Sequence, residues 1–222
     1  MSNPLQSRPE GIIFDLDGTL LDTEPLYTEA TQKVLDPFGH TYSMELKKRC
    51  MGGDSRLSAQ MTIDAYDLPM SVDEYLSKRN VYLLELFPTS PEIKGAGEFV
   101  RALSDEKIPV GLATSSHKPL CDIKLSSKAW GSSFHSIVCG DNQAVKKGKP
   151  EPDIFLVCAD LLGIPAANCI VFEDSPTGIK AARSAGMRVI GINSQYVDLA
   201  DLHEAEIIID SYHELLPLIS SW

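Results

Sequence analysis

The 222-residue chain carries a net charge of -11, with 43% hydrophobic, 7% aromatic and 23% charged residues. That is the composition of an ordinary globular protein, long enough for one large domain or for a domain with a smaller insertion. The negative field repels polyanions, which excludes nucleic acid and anionic membrane surfaces as expected partners and means that any bound phosphate needs a local counter-charge.

The N-terminal segment MSNPLQSRPE lacks the apolar centre of a signal peptide, and no apolar run approaches the roughly 18 residues of a membrane helix. A cytoplasmic monomer is expected, with residues 1–8 a polar lead-in. The five cysteines, Cys50, Cys121, Cys139, Cys158 and Cys169, form no CxxC pair and read as buried thiols of a reducing compartment.

The first strong element is the apolar run Gly11 to Phe14, a buried strand that ends at Asp15-Leu16-Asp17-Gly18, so two carboxylates stand at its exit. Residues 24–92 follow with helical spacing and no convincing strand. An unstructured loop of that length does not belong in a compact domain, so the segment is expected to be an inserted all-helical subdomain. Its helices are predicted at 25–37, 43–51, 55–66 and 71–87, broken at Gly52-Gly53 and Leu68-Pro69. Asp22 and Thr23 precede it as a hinge or helix cap, and Gly52-Gly53-Asp54 reads as a loop over a substrate or a plain helix-helix turn.

Beyond the insert, strands are predicted at 109–114, 135–139, 169–173, 188–192 and 206–209, with helices at 96–105, 153–162 and 177–185. Short buried strands alternating with helices imply an α/β, doubly wound parallel sheet. The expected domains are 9–23 with 93–222 as the core and 24–92 as the insert.

In an open parallel sheet, ligands bind beyond the carboxyl ends of the strands. The residues there are chemically coherent: Asp15 and Asp17 after the first strand, Thr114-Ser115-Ser116 after the second, and Glu173-Asp174 after the strand at 169–173. Lys149 lies in the loop ahead of the helix that precedes that last strand. Crowded carboxylates repel one another unless a cation joins them, and hard oxygen donors suit Mg²⁺. A lysine and hydroxyl residues facing that ion make a receptor for a phosphoryl group. Asp15 is then the candidate nucleophile, and Asp17, two residues on, the candidate acid and base. The five histidines show no metal-ligand spacing, and His117 alone falls near these residues.

The motifs Asp15-Leu16-Asp17-Gly18-Thr19-Leu20, Thr114, Lys149-Pro150 and Glu173-Asp174 resemble the four motifs of the haloacid dehalogenase superfamily over nearly the whole chain. The resemblance implies a Rossmann-like core with a helical cap, in the branch holding beta-phosphoglucomutase and sugar-phosphate phosphatases. It implies Asp15 as nucleophile, Asp17 as acid and base, Thr114 and the Ser115 amide on the phosphate, and Lys149 on both nucleophile and phosphate. Mg²⁺ would be held by Asp15, the Asp17 carbonyl, and Asp174 with Glu173, the last directly or through water.

The segments LPMS, LATSS, GKPEPDIF and VFEDSPTG are similar to those of pseudouridine-5'-phosphatase relatives, which makes pseudouridine 5'-phosphate or a sugar phosphate the expected small phosphomonoester substrate. Thr19 departs from those relatives, where an apolar residue can stand, and follows the generic phosphatase pattern. In the mutases that the chain resembles, a histidine soon after the first motif readies the acid-base group; Tyr27 holds that position here, as a packing residue or a substrate contact. Thr23, Tyr27, Gly52, Gly53, Ser116 and His117 complete the candidate substrate or hinge positions. The rival expectations are a sugar phosphomutase and a non-catalytic ligand-binding or scaffold protein.

Overall fold

The computed structural model describes residues 7–50 and 55–219. The chain divides into two compact units: one joins Met1–Asp22 to Pro91–Trp222, and the other is Thr23–Ser90. In chain order the elements are β1 (Gly11–Phe14), α1 (Glu24–Leu35), α2 (Met44–Cys50), α3 (Ser55–Tyr66), α4 (Val72–Leu86) and α5 (Ala96–Asp105). There follow β2 (Val110–Thr114), α6 (Lys118–Leu125), β3 (Ser136–Cys139), α7 (Asp153–Leu162) and β4 (Cys169–Glu173). The last are α8 (Pro176–Ser184), β5 (Arg188–Ile192), β6 (Ile207–Ile209) and α9 (Leu216–Ile219).

The strands form one six-stranded sheet in the order β3-β2-β1-β4-β5-β6, and every pairing is parallel. This is the doubly wound α/β sheet expected from the alternation of strands and helices. β1 sits at the centre, with Phe14 opposite Leu112 on one side and Phe172 on the other. A central parallel strand is covered on both faces, which is why Gly11–Phe14 is apolar without alternation and wholly buried. Ile12 and Phe14 join a core with Phe99, Val100, Leu103 and Tyr212. Ile13 faces the opposite core, with Ala113, Val138, Phe155 and Val171.

Aromatic packing ties the ends of β1 and β4 together. Phe14 and Phe172 stack at 4.8 Å between ring centroids, Phe99 meets Phe172 edge-on at 5.4 Å, and Tyr212 lies 5.2 Å from Phe99. Such pairs add about 0.5–1.5 kcal/mol each beyond the burial of their area. The residues immediately after Phe14 and Phe172 carry the carboxylates, so this cluster fixes the spacing of the two strand exits.

The stretch between β2 and β3 holds α6 and a 3-10 turn at Ala129–Ser133. One local feature differs from the sequence expectation. Cys50 is half-buried, whereas the other four free cysteines are buried.

In the unit Thr23–Ser90, the apolar residues Val34, Leu35, Ala59, Ile63, Leu68 and Tyr75 make a small core. α4 starts at a capping box in which the Ser71 hydroxyl accepts from the Glu74 amide and the Glu74 carboxylate accepts from the Ser71 amide, satisfying two otherwise orphaned donors. The ring of Tyr27 lies edge-on to Phe87 at 5.4 Å and under the Arg79 guanidinium at 5.5 Å. Tyr27 is thus packed within this unit, and Thr23 is a buried residue at the N-cap of α1. Gly52, Gly53 and Asp54 lie outside the described residues. Among the described residues, no helix is long and apolar enough to cross a membrane.

Candidate active site

The turn after β1 is built to hold two carboxylates at the sheet's carboxyl edge. The Asp15 amide still donates to the Phe172 carbonyl at 3.0 Å, extending the β1-β4 ladder by one residue, after which the Leu20 and Leu21 amides both donate to the Leu16 carbonyl. Gly18 makes the reversal with φ +81°, a conformation costly to any residue with a Cβ. An added Cβ at Gly18 would stand 2.0 Å from Asp174 Oδ2. The glycine therefore also admits a carboxylate from the end of β4.

Asp15, Lys149 and Glu173 form the buried centre. Lys149 Nζ donates to Asp15 Oδ1 at 2.6 Å and to Glu173 Oε1 at 2.7 Å. Burial pushes the Asp15 carboxyl up to about 7; Lys149 works against this rise, while Glu173 and Asp17 add to it. Burial alone would lower Lys149, but its two carboxylate neighbours outweigh that and hold it above the usual ammonium range. The lysine supplies a local positive charge of the kind a bound phosphate needs on this acidic chain. Its loop is secured by Asp153, whose Oδ2 accepts from the Lys146 and Lys147 amides. Asp153 lies in the first turn of α7, as expected from its sequence, and anchors the preceding loop as well.

Glu173 is engaged through both oxygens, because Oε2 accepts from the Ser175 amide at 2.8 Å and the Ser175 hydroxyl at 2.9 Å. A Cβ on Gly178 would fall 1.7 Å from Glu173 Oε1, so the first turn of α8 presses a glycine against this carboxylate. These contacts orient Glu173 toward Lys149 and fit a positioning role better than direct metal ligation. Asp174 is held separately: Thr19 Oγ1 donates to its Oδ1 at 3.0 Å, and the buried Tyr212 hydroxyl donates to the Thr19 carbonyl at 3.1 Å. Burial first, and then Glu173 and Asp15, raise the Asp174 carboxyl well above its ordinary value.

The loop after β2 supplies hydroxyls. Thr114 is buried, and its Oγ1 accepts from the Ser116 amide at 3.1 Å, while Ser115 is exposed. Ser116 Oγ donates to Asp17 Oδ2 at 2.8 Å. Lys124, on α6, reaches Asp17 Oδ1 at 2.5 Å and Ser116 Oγ at 2.9 Å. His117 is exposed at the N-cap of α6, with no capping hydrogen bond from its side chain.

The fold thus brings Asp15, Asp17, Thr114, Ser116, Lys149, Glu173 and Asp174 to the ends of β1, β2 and β4. Sequence reasoning missed Lys124, Ser175 and Tyr212. Lys124 had one legible signal: it falls three residues after Cys121, on the buried stripe of α6. Among the described residues, no trio of Asp, Glu, His or Cys side chains is grouped to hold a metal ion. The buried Asp15 carboxylate and Asp174, which packs against Gly18 directly after Asp17, nevertheless supply the hard oxygen donors that suit an ion such as Mg²⁺, which takes few protein ligands and keeps several waters.

The haloacid dehalogenase-like hydrolase family matches residues 12–192. A Drosophila melanogaster protein named "Probable pseudouridine-5'-phosphatase" is 41% identical over 86% of this chain and 84% of its own length. The Arabidopsis thaliana (DL)-glycerol-3-phosphatase 2 is 34% identical over 93% of this chain and 88% of its own. Among solved structures, a Thermotoga maritima chain that provisionally carries the name beta-phosphoglucomutase superposes with a TM-score of 0.82 at 30% identity, covering 96% of this chain and 99% of that one. The chain belongs to the haloacid dehalogenase-like hydrolase family, as an enzyme of the phosphomonoester hydrolase kind.

Proposed function

We propose that the protein is a Mg²⁺-dependent phosphatase acting on a small soluble phosphomonoester through an aspartyl-phosphate on Asp15. The observation that carries this reading is the buried Asp15 carboxylate held at 2.6 Å by Lys149 at the carboxyl edge of a parallel sheet. In the first step, an Asp15 oxygen attacks phosphorus, the ester P–O bond breaks, and Asp17 gives a proton to the departing alkoxide. In the second step, Asp17 takes a proton from water, whose oxygen attacks phosphorus and returns Asp15 as a carboxylate. Lys149, Thr114 and the Ser115 amide bind the phosphoryl oxygens. Glu173 holds Lys149 in place.

Mg²⁺, held by Asp15, Asp174 and the Asp17 carbonyl, would neutralise charge on the phosphoryl group. The helical unit Thr23–Ser90 takes the part of the cap, and the enzyme works as a cytoplasmic monomer. The similarity to the Drosophila protein favours pseudouridine 5'-phosphate as substrate, with sugar and polyol phosphates next. Phosphate release measured across nucleotide, polyol and sugar monophosphates, with Asp15→Asn as control, tests the reading. Failure to release phosphate from every ester in excess Mg²⁺ would overturn it.

A sugar phosphomutase is the second reading, supported by the Thermotoga chain's name. Tyr27 is packed against Phe87 and Arg79, and a tyrosine side chain, with a reference pKa near 10, is a poor substitute for a histidine poised near neutrality. Faster isomerisation of beta-glucose 1-phosphate than phosphate release would establish the mutase instead.

A further inference from the structure

Lys124 has no place in the motifs that define the site, yet its side chain is fully buried against Asp17. Burying an ammonium group is expensive, and an apolar residue of similar volume at such a place commonly serves stability as well or better. The position lies on the inward stripe of α6 with Cys121, where the helix period calls for a hydrophobe. A lysine there is better explained by what it holds than by packing.

What it holds is a carboxylate through both oxygens. Lys124 Nζ donates to Asp17 Oδ1 at 2.5 Å, Ser116 Oγ donates to Asp17 Oδ2 at 2.8 Å, and Lys124 also donates to Ser116 Oγ at 2.9 Å. The three groups close a ring whose members come from three places: the turn after β1, the loop after β2, and α6. Gripping each oxygen from a different element fixes both side-chain torsions of Asp17. The Asp17 side chain nevertheless stays 27% exposed, so the clamp holds it without burying it.

The base of the clamp is itself held. The Ser116 amide donates to Thr114 Oγ1, the Ser116 carbonyl accepts from the Gly140 amide at 3.0 Å, and the Leu120 and Cys121 amides donate to the His117 carbonyl. The Lys118 amide is tied to Asp141 Oδ1 at 3.0 Å. Ser116 and Lys124 are therefore presented by rigid backbone.

We propose that Lys124 and Ser116 are positioning residues that aim the acid-base group Asp17 at the reacting oxygen. This rests on the role of Asp17 given above. Asp17 serves twice in that scheme, but p-nitrophenolate leaves without needing a proton. With p-nitrophenyl phosphate, loss of aim should spare transfer of the phosphoryl group from the phenolic oxygen to Asp15. It should slow the second step, in which water attacks phosphorus, the Asp15–phosphorus bond breaks, and the water's proton passes to Asp17.

The test is rapid-mixing hydrolysis of p-nitrophenyl phosphate in excess Mg²⁺ by the wild type, Lys124→Met, Ser116→Ala, Ser116→Thr and Asp17→Asn. Lys124→Met should give a burst of nitrophenolate stoichiometric with enzyme, followed by a steady rate about 10²-fold below wild type, as expected for a misplaced catalytic group. Ser116→Ala, which should fold even if the lysine variant does not, should give the same pattern with about a tenfold slower steady rate. Ser116→Thr, which keeps the hydroxyl, should restore it. A wild-type steady rate in both Lys124→Met and Ser116→Ala, or loss of the burst together with the steady rate in folded Ser116→Ala, would overturn the proposal. Asp17→Asn separates the two levels of the argument. If it bursts and stalls while the clamp variants turn over normally, the positioning role alone fails; if it turns over like wild type, the acid-base reading of Asp17 fails.

Discussion

Replacing Gly18 by alanine probes the turn where the backbone and the metal-side carboxylate meet. The added Cβ starts 2.0 Å from Asp174 Oδ2, so the carboxylate must withdraw by ~1.4 Å to reach the 3.4 Å at which ordinary contact begins. The left-handed backbone, φ +81°, costs an L-residue about 1–2 kcal/mol by itself. Withdrawal of Asp174 breaks the 3.0 Å hydrogen bond from Thr19, and a hydrogen bond to a charged group contributes about 1.5–3 kcal/mol.

Gly186→Ala is the control, since Gly186 has φ +76° in the same unit but nothing within 4 Å of an added Cβ. At about 2–4 °C per kcal/mol for a chain of this size, the control should lose about 2–8 °C in melting temperature. Gly18→Ala should lose a further 3–12 °C or so. Half-saturation by Mg²⁺, read from activity, should rise about tenfold or more in Gly18→Ala and stay unchanged in the control. Equal losses of stability in the two variants, with unchanged Mg²⁺ half-saturation, would refute the idea that this glycine makes room for Asp174.

Three further outcomes follow from the site. Asp15→Asn should keep the fold and lose ~10³-fold or more of turnover, checked by circular dichroism beside phosphate release; substantial residual turnover would remove Asp15 from the nucleophile's role. A carboxyl raised from 3.8 to about 7 favours the protonated folded state, so its contribution to stability is full below the unfolded pKa and is lost as pH rises through about 7. Metal-free melting temperature should fall across that window, and Mg²⁺ should stabilise more near pH 8 than near pH 5.5, because metal and proton compete for the carboxylate; equal Mg²⁺ shifts at both would contradict this. Burial pushes the Cys158 thiol up to about 12 and Cys169 to about 11. Both should resist alkylation in the native state near pH 8 while half-buried Cys50 reacts, and the stability they contribute should fade only as pH climbs from about 9 toward those values.

The sheet was legible because its strands are short apolar runs between helical patterns, and Gly11–Phe14 reads as buried on both faces from its composition alone. The strand-end rule then gathers Asp15, Thr114 and Glu173 without knowledge of strand order. Residues that hold those groups from a distance were not legible. Thr19 reaches Asp174 across 155 positions and Tyr212 reaches Thr19 across 193, and no local pattern encodes such contacts. Lys124 was hidden differently, since a lysine in a short helix ordinarily extends into water; only its spacing from Cys121 marks the inward face.

The reading of Tyr27 turns on packing that the sequence does not show. Its ring, against Phe87 and Arg79, is engaged within its own unit, so a tyrosine at that position does not by itself signal a substrate contact.

The central claim is that phosphate passes through a covalent bond to Asp15, and trapping that bond tests it most directly. The wild type and Asp17→Asn are mixed with p-nitrophenyl phosphate and Mg²⁺, quenched in acid during turnover, reduced with borohydride and mapped by peptide mass spectrometry. Reduction of an acyl phosphate converts the aspartate to homoserine, so the modification should appear at Asp15 alone, with higher occupancy in Asp17→Asn, where the second step is slowed. A chain that releases phosphate at full rate yet shows no reduction product at Asp15 in either protein would contradict the account.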